Sequence, residues 1–231
     1  MRSIQSSETW VCPHECEPFE ADRWSFINVT QDPDLKDAVL GGELNLFCCP
    51  HCHTFFHGDT DFIYLDEDIQ LLVFVFAEKN RPQKKQLLAK MQQDYELLKE
   101  TVLKPLHLDI TPICVFGLEE LKGVVQQEED RMFESQAIAA AASALGMKVA
   151  RLMPAWAREH NFPFFTAAGT DETAKTFADS ARKVLEEGLQ SPLLKHFAEQ
   201  MQGEGASAPK VYYDDTQKTQ GSIANHRPLR R

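Results

Sequence analysis

The two segments that decide the fold of this chain are Cys12-Pro-His-Glu-Cys16 and Cys49-Pro-His-Cys52. They space four cysteines as C-x3-C-x32-C-x2-C. Each short loop directs two thiolates at one point, and a structural Zn2+ ion takes four ligands at tetrahedral angles. A Pro after the first Cys of each loop suits such a turn, because it fixes φ and places no amide near the sulfur. The spacing therefore predicts one structural zinc ion held by Cys12, Cys16, Cys49 and Cys52.

Other residues near the second loop could also bind a metal. His51, His53 and His57 crowd this loop, and imidazole is a zinc ligand. Structural sites close at four ligands, so we expect these histidines on the surface, although the sequence leaves their contribution open. Four thiolates also leave no position for a catalytic water. The two remaining cysteines, Cys48 and Cys114, are expected to be small buried residues.

The composition is that of a globular protein. The chain has 231 residues, of which 43% are hydrophobic and 26% charged, enough for one large core or two modest ones. The longest apolar run, residues 71–77, is far shorter than the roughly 20 residues that cross a bilayer. Residues 1–10 contain no apolar signal core. We therefore expect a cytoplasmic protein without a membrane partner, in which cysteines stay reduced.

Charge is distributed unevenly along the chain. The net charge is −11, and residues 1–80 alone hold 4 Lys and Arg against 15 Asp and Glu. Nucleic-acid affinity comes largely from Lys and Arg that displace counterions from phosphates. DNA and RNA are therefore poor candidate partners.

The N-terminal part has the pattern of a small antiparallel sheet. Its β-rich segments of strand length are followed by a continuous apolar run that suits burial on both faces. A helix is predicted over residues 32–42, where Asp, Pro and terminal Gly stand at the positions that begin and end helices. The predicted strands are residues 24–29, 43–48, 61–65 and 70–77.

From residue 82 onward the hydrophobic period is mainly helical. One apolar stripe ends at Lys104-Pro105, and a strand over 112–116 leads into further helices. The fold class is therefore α+β, with a zinc-ribbon-like antiparallel unit and a mainly helical C-terminal part. The predicted later helices cover residues 118–125, 134–153, 170–187 and 192–202. The predicted division is a zinc-binding domain over 10–133, a helical region over 134–202 and a disordered tail over 203–231.

Several further segments carry a family pattern: residues 24–29 (WSFINV), 32–36 (DPDLK), 40–45 (LGGELN), 47–52 (FCCPHC), 63–66 (IYLD), 114–121 (CVFGLEEL) and 129–131 (EDR). Together with the cysteine loops, they resemble the CpXC family, which is named for two Cys-Pro-x-Cys motifs. The resemblance covers roughly residues 10–140. It implies a zinc-ribbon-like module with a helical continuation, in a family whose members mostly lack an assigned activity.

The chain departs from the family pattern at two places. The first motif is one residue longer than Cys-Pro-x-Cys, and Glu17 and His53 stand where a Gly usually follows each motif. Such glycines supply a positive φ, so we expect strain at Glu17 and His53, or reshaped loops.

A redox enzyme is the main alternative interpretation. Cys49-Pro-His-Cys52 is similar to the active-site motif of oxidising thioredoxin-like proteins, and Thr111-Pro112 resembles the dipeptide that faces it. A reactive thiolate in that chemistry needs a helix N-terminus, but Gly58 and Asp59 interrupt the chain within two turns of Cys52. The redox interpretation also gives Cys12 and Cys16 no role.

The sequence thus predicts a zinc-binding protein whose metal is structural and whose module contacts a protein partner or a second copy. It contains no nucleotide-binding Gly loop, Gly-x-Ser-x-Gly elbow or His-Glu-x-x-His pair. The alternatives are a thiol-disulfide oxidoreductase and an enzyme whose site is not recognised.

Overall fold

Six successive apolar residues, Leu71–Phe76, form the most buried strand of the protein. Such a run suits a strand that is covered on both faces. It belongs to a five-stranded sheet formed by β1 (Ile4–Trp10), β2 (Phe19–Asn28), β5 (Phe62–Asp66), β6 (Leu71–Phe76) and β7 (Ile113–Phe116). The spatial order of these strands is β1-β2-β5-β6-β7.

The structure is a computed structural model, and it describes residues 1–106, 108, 110–171, 173–203 and 205–212. The chain forms two compact units, of which the first is Met1–Asp130 and the second begins at Arg131. Among the described residues, no helix combines the length and the apolar character that crossing a bilayer requires.

The sheet of the first unit is mixed. β1 pairs with β2, and β5 with β6, in the antiparallel sense. β2 pairs with β5, and β6 with β7, in the parallel sense. The sequence favoured a wholly antiparallel unit, because local alternation does not reveal how strands distant in the chain pair. A parallel pair needs a long crossover, and the segments between these strands supply it.

The helices of the first unit complete its core. Helix α1 (Asp34–Gly41) follows β2 and ends at Gly42, whose left-handed φ of 72° lets its amide bond to Val39 and Ala38 carbonyls. Helix α2 (Lys84–Leu98) continues as a π-helical turn over Lys99–Leu103. The apolar side of α2 packs on the sheet through Met91 and Tyr95.

A second, two-stranded sheet carries one cysteine loop. It is the hairpin of β3 (Leu46–Cys48) and β4 (Phe55–His57), with Leu46 opposite His57 and Cys48 opposite Phe55. Phe47 and Phe56 point to the covered side of this hairpin. Leu46, Cys48 and Phe55 are exposed on the other side.

Helix α3 (Gly117–Ala144) is longer than the sequence indicated. We predicted one helix over 118–125 and another over 134–153, but a single helix runs through the polar segment between them. It ends at Ala144 rather than at 153, because Gly146 takes a left-handed φ of 68°. Residues 149–151 then form a strand.

The second unit is mainly helical. Its core contains the fully buried side chains of Phe162, Phe164, Phe177 and Phe197. Its elements after α3 are β8 (Val149–Arg151), α4 (Pro154–Glu159), β9 (Phe165–Ala167), α5 (Ala174–Glu186) and α6 (Pro192–Met201). An N-terminal sheet with cysteine loops, followed by a mainly helical part, confirms the predicted α+β class.

The predicted disordered tail falls mostly outside the described residues. Within the described part, Val211 forms an antiparallel bridge with Leu152, and the Tyr212 amide donates to the Arg151 carbonyl at 2.7 Å. Residues 210–212 therefore lie beside β8, although the sequence placed them in the tail. Residues 213–231 and Glu204 are not described.

Candidate metal centre

The two cysteine loops connect strands that lie beside each other. Residues 11–18 join β1 to β2 and hold Cys12 and Cys16. Residues 49–54 join β3 to β4 and hold Cys49 and Cys52. Each of two strand pairs thus carries two thiols on the short loop that connects its strands.

Aromatic side chains fix the hairpin against the ends of β1 and β2. The ring centroids of Trp10 and Phe47 are 4.3 Å apart, and those of Phe19 and Phe56 are 6.2 Å apart in an edge-to-face arrangement. Trp10 and Phe19 flank the first cysteine loop, so these contacts bring that loop to the second one. Gly58 permits the approach, since a Cβ there would lie 2.7 Å from Phe47 Cε2 and would overlap the indole of Trp10.

The four cysteines meet at one point. The sulfur atoms of Cys12, Cys16, Cys49 and Cys52 all lie within 4.8 Å of one another. Cys12 Sγ and Cys52 Sγ are 3.5 Å apart. Among the described residues, these four cysteines form the group of side chains that could hold a metal ion together. His51, His53 and His57 do not belong to it.

The backbone of both loops turns through a left-handed residue. Glu15 has a φ of 56° and donates its amide to the Cys12 carbonyl, and His53 has a φ of 58° and donates to the Cys49 carbonyl. Of the two expected outcomes, His53 has the positive φ, and the first loop is reshaped so that Glu17 does not have one. The extra residue of the first motif moves the left-handed position from the residue after Cys16 to Glu15, the residue before it.

Polar groups from both loops surround Cys52. Thr54 Oγ1 lies 3.4 Å and His14 Nδ1 3.7 Å from Cys52 Sγ. The backbone amide of His14 donates to Cys12 Sγ at 3.4 Å. Sequence reasoning missed His14 and Thr54. Both are polar residues two positions from a cysteine of the quartet, and polar groups that contact metal ligands orient them.

The pKa values of three thiols in the quartet are shifted in different directions. The hydroxyl and amide of Thr54 favour the thiolate and lower the pKa of Cys52 to about 5. The neighbouring Cys52 sulfur and burial raise the pKa of Cys16 to about 12. The His14 amide lowers the pKa of Cys12, but burial and the nearby thiols outweigh it, so that the pKa of Cys12 is raised. A metal ion must displace the protons that remain.

Exposure differs among the six cysteines. Cys12 and Cys49 are buried, Cys16 is half-buried and Cys52 is exposed. The prediction that Cys48 is buried is wrong, because it lies on the uncovered side of the β3–β4 hairpin. Cys114 is half-buried and packs against the apolar core of the sheet.

The segment after Cys52 tests the redox interpretation. The chain passes from the turn at His53 directly into β4, which begins at Phe55. The prediction that no long helix follows this motif is therefore confirmed. Neither Cys49 nor Cys52 lies at a helix N-terminus, the position that would activate a thiolate through the helix dipole.

A second set of motif residues has a structural role. Lys36 Nζ on α1 lies 3.1 Å from Asp66 Oδ2 at the end of β5 and 3.6 Å from Glu129 Oε1 on α3. Burial lowers the pKa of Lys36, but the two carboxylates outweigh it and the net pKa is raised. The similar segments DPDLK, IYLD and EDR therefore meet in one ionic cluster.

The family model described as CpXC protein matches residues 11–136, more than half of the chain. The chain therefore belongs to the CpXC family, as the motif resemblance implied. The matched region contains both cysteine loops and the ionic cluster of Lys36, Asp66 and Glu129. No curated protein and no solved structure matches the chain significantly.

Proposed function

We propose that the chain binds one structural Zn2+ ion through Cys12, Cys16, Cys49 and Cys52. The observation that carries this proposal is the convergence of four sulfurs within 4.8 Å. A tetrahedral site with Zn–S bonds of about 2.3 Å separates its sulfurs by about 3.8 Å. The sulfurs therefore need only small shifts to surround the ion.

The donor set also fits the proposed metal. Four thiolates in a tetrahedral arrangement are typical of zinc and of iron–sulfur centres. Four ligands complete the zinc shell and leave no position for water or substrate, which supports a structural role. His14 and Thr54 would orient Cys52 from outside that shell.

Neighbouring cysteines provide a matched test of the ligand set. Cys49→Ser removes a buried member of the quartet, whereas Cys48→Ser changes the adjacent exposed thiol. Protein purified under reducing conditions without chelators should contain one zinc per chain, and Cys48→Ser should retain it while Cys49→Ser loses it. Iron in place of zinc, no metal, or equal metal in both variants would contradict the proposal.

We further propose that the metal holds the β3–β4 hairpin as a contact surface for a protein partner. Phe55 is 67% exposed and Leu46 38% exposed on the uncovered side of this hairpin, and Val11 beside Cys12 is 62% exposed. Large apolar side chains that cluster on a surface mark interaction sites more often than isolated ones do. The net charge of −11 over residues 1–80 supports a basic protein partner and argues against nucleic acid.

Phe133 supplies the control for this surface, because it is 75% exposed but lies on α3. Quantitative pull-downs from native cells should lose the specific partner with Phe55→Ser and keep it with Phe133→Ser. The same set of proteins with both variants would contradict an interaction through the hairpin.

The cytoplasm is the compartment we propose, since a thiolate site persists where thiols stay reduced. The geometry favours this structural role over a thiol-disulfide oxidoreductase that uses Cys49 and Cys52. Both of these thiols belong to the quartet, and no helix N-terminus activates either of them. If the metal-free protein stayed folded and catalysed dithiol oxidation through these two residues, the oxidoreductase would be the better assignment.

A further inference from the structure

The four cysteines of the quartet differ in their exposure to solvent. Cys12 and Cys49 are buried, Cys16 is half-buried, and Cys52 is exposed. Oxidation of cysteine depends on exposure and on thiolate character, and metal ligation makes all four residues thiolates. Cys52 is therefore the ligand that a small oxidant in solution reaches first.

A resolving thiol within reach of Cys52 comes from the other loop. Cys12 Sγ lies 3.5 Å from Cys52 Sγ, and a disulfide requires about 2.05 Å. A movement of about 1.5 Å joins the two sulfurs, which side-chain rotation with a small loop shift can supply.

The position of this disulfide decides its effect on the fold. Cys12 and Cys52 belong to different loops, so a disulfide between them links β1–β2 to the β3–β4 hairpin, as the metal ion does. A disulfide between Cys49 and Cys52 would close one turn and leave the two loops unlinked. Only the cross-loop bond replaces the connection that metal loss removes.

We propose that Cys52 is a modification site for hydrogen peroxide, with Cys12 as the resolving cysteine. This inference rests on the proposed zinc site. Cys52 attacks one peroxide oxygen and the O–O bond breaks, which leaves Cys52 as a sulfenic acid, while the other oxygen takes a proton from solvent and leaves as water. The Cys12 thiolate then attacks the Cys52 sulfur, the S–O bond breaks, and the departing hydroxide takes a second proton from solvent and leaves as water.

The reaction balances as a two-electron exchange. The thiol pair loses two electrons and becomes one disulfide, and one hydrogen peroxide is reduced to two waters. Only Cys16 and Cys49 would then remain as thiolate ligands, and two thiolates would not retain a zinc ion that needs four ligands. Oxidation therefore exchanges a metal cross-link for a covalent one between the same two loops.

Cys48 provides a contrast within the same segment. It is also exposed, but it lies outside the quartet, and its Sγ is 3.9 Å from the Cys49 carbonyl oxygen. Oxidation at Cys48 changes no metal ligand and should release no zinc. Cys48→Ser thus removes a competing exposed thiol without altering the site.

The test uses the zinc-loaded full chain, both unaltered and as Cys48→Ser. Zinc content is measured first, and hydrogen peroxide is then added in steps up to a few equivalents. A chromogenic chelator reports released zinc. Tryptic peptides prepared without reduction report disulfides, because cleavage after Arg23 and Lys36 separates the two cysteine loops.

We expect both proteins to release one zinc for each disulfide formed. The disulfide should join the peptide 3–23 to the peptide 37–79, and fragmentation should assign it to Cys12 and Cys52. A bond within one loop, a bond to Cys48, or full retention of zinc would overturn the inference. A chain without zinc at the start would instead contradict the proposed function, so the two failures are distinguishable.

Discussion

The strand β6 (Leu71–Phe76) buries all six of its side chains, whereas residues 50–53 of the second cysteine loop are all exposed. Both segments belong to the first unit. The strand contacts a large apolar cluster that includes Phe26, Leu65 and Met91. The loop region has a few aromatic contacts and four converging thiols.

This difference indicates that two kinds of interaction stabilise one unit. Burial of apolar surface contributes about 25 cal/mol per Å² and suffices for the central strands. A small loop region cannot bury enough surface, and such regions usually depend on a metal or disulfides. The metal is expected to stabilise the loops and the hairpin, while the sheet core is expected to persist without it.

Metal removal should have the largest effect. Structural zinc sites bind with apparent energies of about 10–16 kcal/mol that are coupled to folding. A strong chelator should therefore expose amides of residues 11–18 and 46–58 in hydrogen exchange followed by mass spectrometry. Amides of β5 and β6 should remain protected, and their simultaneous exchange would contradict the division into two regions.

Leu72→Ala should affect the opposite region. Leu72 is 1% exposed within the apolar cluster, and truncation of such a side chain costs about 2–5 kcal/mol. Urea unfolding followed by circular dichroism should report this loss, while the folded protein keeps its zinc.

Leu97→Ala is the matched control for Leu72, because Leu97 is an exposed leucine on α2. Its effect should stay within about 0.5 kcal/mol. Equal losses for the two leucines would show that the apolar cluster does not carry the stability of the sheet.

Gly58→Ala should disturb the aromatic contacts that hold the β3–β4 hairpin against the first cysteine loop. The added Cβ would meet Trp10 and Phe47, and overpacking of this kind costs about 1–3 kcal/mol. The chelator concentration that releases half of the zinc should fall. Gly123→Ala on α3 is the control, since nothing lies within 4 Å of its Cβ and helix propensity predicts a gain of up to about 1 kcal/mol.

His53→Gly should have the smallest effect on stability, and it should stabilise the protein where Leu72→Ala and Gly58→Ala destabilise it. His53 holds a φ of 58°, a conformation that costs a residue with a side chain about 1–2 kcal/mol. Glycine should therefore raise the temperature at which the zinc-bound hairpin unfolds. Glu17→Gly should give no such gain, since Glu17 does not have a positive φ, and a larger gain there would contradict the loop geometry.

Local patterns predicted the elements that local interactions specify. Strand β6 follows from its continuous apolar run, and α1 from its Pro and terminal Gly. The convergence of the four cysteines follows from two tight loops of known ligand chemistry. The absence of a long helix after the second loop follows from Gly58 and Asp59, which interrupt the chain within two turns of Cys52.

Features that depend on tertiary pairing were not predictable. Strand β1 has apolar residues only near its ends, and its pairing with β2 defines it. Cys48 alternates with Phe47 in the hairpin, but only the structure reveals which side is covered. The α3 segment over residues 126–131 is polar, so its helix depends on propensity and not on an apolar stripe.

The most direct test of the central claim is X-ray absorption at the zinc edge of the purified protein. Four thiolates on one ion predict a single shell of four sulfurs at about 2.3 Å, with no nitrogen. The same spectrum is expected for His51→Ala, His53→Ala and His57→Ala. A nitrogen at about 2.0–2.1 Å in place of one sulfur, or a protein without zinc, would contradict the four-cysteine site.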